Sequence, residues 1–143
     1  MKRLFVDTNV FLRFLTRDDL GQSERAERLL QDAAAGQVGL VTGPPVLFEL
    51  VWTLRRAYKV PRERSLDIVA SLLAVEGLDM VDRSVVTAAV ERGRTSGQEF
   101  ADAYIAAAAT GAGVDGIATF NEKHFKRLGA ALYDWPPAEA SAE

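Results

Sequence analysis

Three carboxylates, Asp7, Glu49 and Asp102, and one carboxamide, Asn121, stand at the boundaries of segments that a fold could bring together. Asp7 follows the short apolar run Leu4-Phe5-Val6, which reads as a strand, and precedes Thr8-Asn9 and the helix-like residues 10–15. Ligand crevices in open α/β sheets form outside the carboxyl ends of the strands, so an aspartate there is placed for chemistry. Its plainer role is to cap the following helix, although Thr8 or Asn9 could do the same. A carboxylate in an otherwise apolar stretch carries a desolvation cost that capping alone explains poorly, which favours the chemical role.

Glu49 lies in a helix-like segment whose apolar stripe is Leu47, Leu50, Val51 and Leu54. At 100° per residue it points away from that stripe, as a solvated glutamate would. It also falls early in a helix that follows a strand end, which puts it at the same end of the sheet as Asp7. Asp102 sits in Phe100-Ala101-Asp102-Ala103-Tyr104 and the alanine run beyond it. Alanine favours helix and close packing, so a lone aspartate there is either a first-turn dipole partner or a ligand. Glu99 shares its face, but Ser96-Gly97-Gln98-Glu99 fits a capping box, and the cap is the assigned role. Asn121 ends an apolar run and is a natural N-cap. His124, the only histidine, has no second histidine or cysteine with which to build a zinc site, so it reads as a surface or packing residue.

Carboxylates from separate segments meeting at one sheet end suit a hard cation. Magnesium and manganese prefer carboxylate oxygen and retain waters, leaving room for a phosphate. The chain has no G-x-x-x-x-G-K-[ST] loop, no G-x-G-x-x-G fingerprint and no cysteine, which removes nucleotide-cofactor, thiol-redox and disulfide readings.

The elements needed to hold these residues are legible as an alternation. Strands are predicted at residues 4–6, 38–41, 78–81 and 117–120, with a fifth near 131–133. Helices are predicted after Asn9 and at residues 22–35, 43–59, 61–75, 84–95, 99–110 and 122–128. Gly43-Pro44-Pro45 opens the third, since proline is tolerated in a first turn. Such alternation predicts an α/β fold: a parallel four- to five-stranded sheet flanked by helices on both faces. At 143 residues one domain is expected, over 1–133, with 134–143 as a frayed tail.

A net charge of −3 argues against a protein that coats nucleic acid nonspecifically. Local arginines remain, and Arg13, Arg55 and Arg56 are candidates to hold a phosphate backbone. No apolar run approaches the roughly 18 residues of a membrane span, and too few apolar residues follow Met1-Lys2-Arg3 for a signal peptide. A soluble, cytoplasmic protein is expected.

The combination resembles a PIN domain, and within that group the ribonuclease toxins of VapC type. The matching pieces are Phe5-Val6-Asp7-Thr8-Asn9-Val10, Phe48-Glu49, Phe100-Ala101-Asp102-Ala103 with its alanines, and Ile117-Ala118-Thr119-Phe120-Asn121 with His124-Phe125. The resemblance implies an acidic pocket for Mg2+ or Mn2+ and endonucleolytic cleavage of RNA. It makes Asp7, Glu49 and Asp102 the acidic, metal-binding triad. Asn121 stands where the family often has a fourth acid, and an asparagine can still ligate or orient a water. A homodimer neutralised by a small antitoxin is implied in the same way.

Two other readings stay open. Asp7 as a covalent nucleophile would resemble phosphatases of the haloacid dehalogenase type, but Asn9 stands where those carry a second acid. A degenerate PIN module could instead bind RNA or a protein without cutting.

Overall fold

The computed structural model describes residues 1–138. Three strands form one parallel sheet in the order β1 (Arg3–Phe5), β2 (Gly39–Thr42), β3 (Leu78–Met80). Leu4 pairs with Leu40 and Leu40 with Leu78, so a single register runs across all three. Two helices, α1 (Thr8–Leu15) and α2 (Leu20–Ala34), link β1 to β2; α3 (Pro44–Arg56) and α4 (Arg62–Leu73) link β2 to β3. After β3 come α5 (Arg83–Ser96), α6 (Phe100–Ala112) and the short α7 (Glu122–Arg127). None of the helices in the described residues is long and apolar enough to cross a membrane.

The helices form where burial and punctuation agree. Gly43 caps α3, Pro44 and Pro45 occupy its first turn, and Val46, Leu47, Leu50, Val51 and Leu54 are buried at helical spacing. In α6 the small residues Ala103, Ala106 and Ala107 are buried, and this helix makes its most extensive contact with α5, in which Val86, Ala89 and Val90 are buried. Small side chains let the two backbones approach closely.

The sheet departs from expectation in two ways. Residues 117–120 and 131–133 do not extend it. Ile117 and Leu132 make one isolated parallel bridge, in which the Ile117 N–H donates to Ala131 O at 2.8 Å and the Tyr133 N–H to Ile117 O at 2.8 Å. Beyond it the Thr119 hydroxyl accepts from the Asn121 N–H, and Thr119 O accepts from the Trp135 indole. The recorded partners of residues 117–119 thus lie in 121 and 131–135 rather than in β1, and the sheet has three strands rather than four or five. Helices do not cover both faces either. On one face Val6, Leu40, Thr42, Leu78 and Met80 are buried; on the other, Phe5 and Val81 stay exposed and Arg3 pairs with Asp79 in solvent.

Val6, buried just past β1, continues the ladder by donating its N–H to Val41 O at 2.8 Å. Asp7 therefore emerges at the carboxyl end of β1, and Gly43 carries the chain from the same end of β2 into α3. Of the expected tail, residues 134–138 belong to no helix or strand, and 139–143 lie outside the described residues.

Candidate active site

Asp7 is the N-cap of α1, and its Oδ1 accepts from the Thr8 N–H at 2.8 Å. The capping role is thus real, but the side chain is exposed, so the desolvation cost anticipated for it is not incurred. Thr8 is buried, with 3 % of its surface accessible, and its hydroxyl donates to Glu49 Oε1. Glu49 points out of α3 away from buried Leu47 and Leu50, as its spacing predicts. Thr8 therefore ties two carboxylates from segments 42 residues apart in sequence (Asp7 to Glu49) to one helix start, where the α1 dipole favours negative charge.

Asp102 lies in the first turn of α6 with its side chain 26 % exposed. His124 Nδ1 sits 3.3 Å from its Oδ2 and 2.8 Å from the Asn121 carboxamide nitrogen. Which of the two partners Nδ1 serves depends on whether that nitrogen carries a proton. Asn121 holds the N-cap position of α7, but its side chain makes no capping bond; it turns to His124 instead. This corrects the side-chain capping role expected of Asn121; His124, expected as a surface or packing residue, is half exposed and lies against both Asp102 and Asn121.

Aromatic packing joins the two groups. The Phe48 ring lies 5.5 Å from Phe100 and 5.0 Å, edge-on, from Tyr104. These rings fix α3 against α6 beside Glu49 and Asp102. Burial first, then the charge of Asp82, pushes the Tyr104 phenol above its ordinary range, so it stays neutral in physiological buffer.

Glu99 does not close a capping box. It is itself the N-cap of α6, and its carboxylate takes a two-pronged bond from Arg55, at 3.1 and 2.6 Å. A fork of charge-assisted bonds outcompetes a reach back to the chain's own amide. Arg55 also donates to Val60 O, and the Glu99 bond raises its pKa above the usual range. Arg55 is thereby a brace between α3 and α6 rather than a free cation. With both partners partly solvated, Arg55→Ala is expected to cost about 1 kcal/mol in a urea titration. Arg56 lies over the exposed Trp52 ring at 5.4 Å, and Arg13 bonds Gln22 in a groove between α1 and α2 that also holds Arg25.

Asp7, Glu49 and Asp102 do not stand as one cluster: among the described residues, no three acidic or histidine side chains lie close enough to hold a metal together. Glu49 is drawn to Thr8 and Asp102 to His124, which divides the expected triad into two pairs. The donor chemistry still fits a hard cation. Every member is a carboxylate reachable from solvent, and Asp7 Oδ2 and Glu49 Oε2 have no protein partner among the described residues. Sequence reasoning misses two participants. Thr8 reads there only as a cap, and the signal for His124 is its i, i+3 spacing from Asn121 in a helix start.

No curated protein matches the chain. The sequence does match the PIN domain over residues 4–131, a stretch that includes Asp7, Thr8, Glu49, Asp102, Asn121 and His124, and the chain belongs to the PIN domain family.

Proposed function

We propose that the protein is a Mg2+- or Mn2+-dependent endoribonuclease, hydrolysing RNA phosphodiester bonds in the cytoplasm as the toxin of a toxin-antitoxin pair. The PIN domain is generally a nuclease fold. The observation that carries the reading is the pairing of Asp7 with Glu49 through Thr8, beside an α3–α6 contact whose other side bears Asp102. The toxin role, the homodimer and the antitoxin rest on the VapC-type resemblance of the four motifs.

Asp7, Glu49 and Asp102 are the residues that would hold the cation. When bound, such a cation lowers the pKa of a water and offsets charge growing on the phosphate oxygens. Glu49, oriented by the Thr8 hydroxyl, takes the proton of the attacking water through its open oxygen. His124, with its proton on Nδ1, donates to the Asp102 carboxylate and orients it. In-line attack by water displaces the 3′ oxygen and leaves a 5′ phosphate; a cyclic phosphate product would require the 2′ hydroxyl as nucleophile and would overturn this chemistry.

The test is incubation of total RNA with the purified protein and with Asp7→Asn, each with magnesium, manganese or chelator, with fragments read on a gel. Discrete fragments from the parent alone, and only with a divalent ion, are expected. The separation of Asp102 from Asp7 and Glu49 favours a second reading, a PIN module that grips RNA or a protein without cutting. Binding that persists in chelator with no cleavage under any ion would favour it.

A further inference from the structure

Phe120 is 89 % exposed, although it directly precedes Asn121 of the candidate site. It is not a stray apolar side chain. The Trp135 ring stacks on one of its faces, with centroids 4.8 Å apart and planes 14° from parallel, and Tyr133 meets Trp135 edge-on at 4.9 Å. Two features hold these rings in register: the Ile117–Leu132 bridge, and the bond from Trp135 Nε1 to Thr119 O at 3.0 Å. The second face of Phe120 is left open, a flat aromatic surface backed by another ring.

The chemistry around it selects an occupant. Following Asn121, α7 presents Lys123, Lys126 and Arg127 to solvent, and none of the three makes an ion pair among the described residues. A flat ring followed by cations three, six and seven residues on is what an unpaired base and its phosphates require: stacking tolerates any base, and cations track the backbone. An apolar protein segment would gain nothing from the cations.

We propose that Phe120, backed by Trp135, is a stacking platform for one unpaired base of a single-stranded RNA, with α7 holding the adjoining phosphates. The placement of that base beside the cleaved bond rests on the ribonuclease reading; the platform itself does not. Because a duplex keeps its base faces covered by neighbouring bases, the platform would favour unpaired RNA over duplex.

Trp135 reports on its own site once the other tryptophan is removed by Trp52→Phe. In chelator, so that no cutting is needed, an eight-nucleotide single-stranded RNA is expected to quench this fluorescence saturably. The same sequence as a blunt duplex should not. Phe120→Leu, conservative at so exposed a position, is expected to weaken binding about tenfold, and Phe120→Tyr, which keeps a flat ring, to leave it within about twofold. Equal binding by Phe120→Leu and the parent, or equal quenching by single strand and duplex, would overturn the proposal. The two readings fail separately. Quenching that obeys these rules in a protein that never cleaves RNA keeps the platform and discards the nuclease. Cleavage that is indifferent to Phe120→Leu does the reverse.

Discussion

Asp102→Asn is expected to lower the single-turnover rate of RNA cleavage at least about a hundredfold while leaving thermal stability nearly unchanged. The substitution is isosteric, and the carboxamide oxygen still faces His124, so the local contact survives. What disappears is one negative charge from the set that would balance a divalent ion. Several kcal/mol of transition-state stabilisation are at stake in such sites, and each 1.36 kcal/mol is about tenfold in rate. Thr8→Val offers the complementary comparison: it keeps every charge but frees Glu49 from its only donor among the described residues, and a loss nearer tenfold is expected. A variant with undiminished cleavage at Asp102 would remove α6 from the mechanism and leave Asp7 and Glu49 alone.

Gly77→Val is expected to destabilise the fold by about 3–5 kcal/mol, read as a fall in the urea midpoint. Gly77 has φ +86°, a left-handed conformation that a β-branched residue enters only with strain. Space adds to the penalty. A Cβ on Gly77 would come to 2.4 Å from the Ala33 carbonyl oxygen, and backbone cannot swing aside as a side chain can. The Gly77 carbonyl also accepts from the Leu40 N–H at 2.9 Å, so any retreat pulls on the ladder between β2 and β3. Gly36 separates the two causes: its φ is +78° with nothing within 4 Å of where a Cβ would stand, so the same change there, Gly36→Val, should cost only about 2 kcal/mol. Equal losses at the two positions would show that conformation, not the Ala33 contact, dominates at Gly77.

Local chemistry makes much of this molecule legible from its residues. A strand end followed by Asp-Thr-Asn, and a proline pair opening α3, are enough to bring Asp7 and Glu49 to the same end of the sheet. What stays hidden depends on partners distant in sequence. Glu99 fits a capping box within four residues, and only the fold reveals that Arg55, 44 positions earlier, competes for it. The run Ile117-Ala118-Thr119-Phe120 has strand composition, yet Trp135 and Asn121 claim the groups at Thr119. Period and composition say that Phe5, Val41 and Val81 suit a sheet; they do not say whether anything covers that side. Searching for a second metal-type ligand beside His124 overlooks a histidine whose partner is a carboxylate on another helix.

The separation of Asp102 and His124 from Asp7 and Glu49 also divides the centre between regions of unequal cooperativity. Thr8 and the neighbours of Glu49, Leu47 and Leu50, are buried, so the backbone that carries this pair is held by the common core. Asn121 and His124 ride on a segment fastened by one bridge and by the buried Phe125 and Leu128, and it can detach at a smaller free-energy cost. The gap between the halves is then an equilibrium quantity and not a fixed dimension. Any ligand that grips both halves must draw on its own binding energy to close them, and in doing so it lends the outer segment the stability of the core.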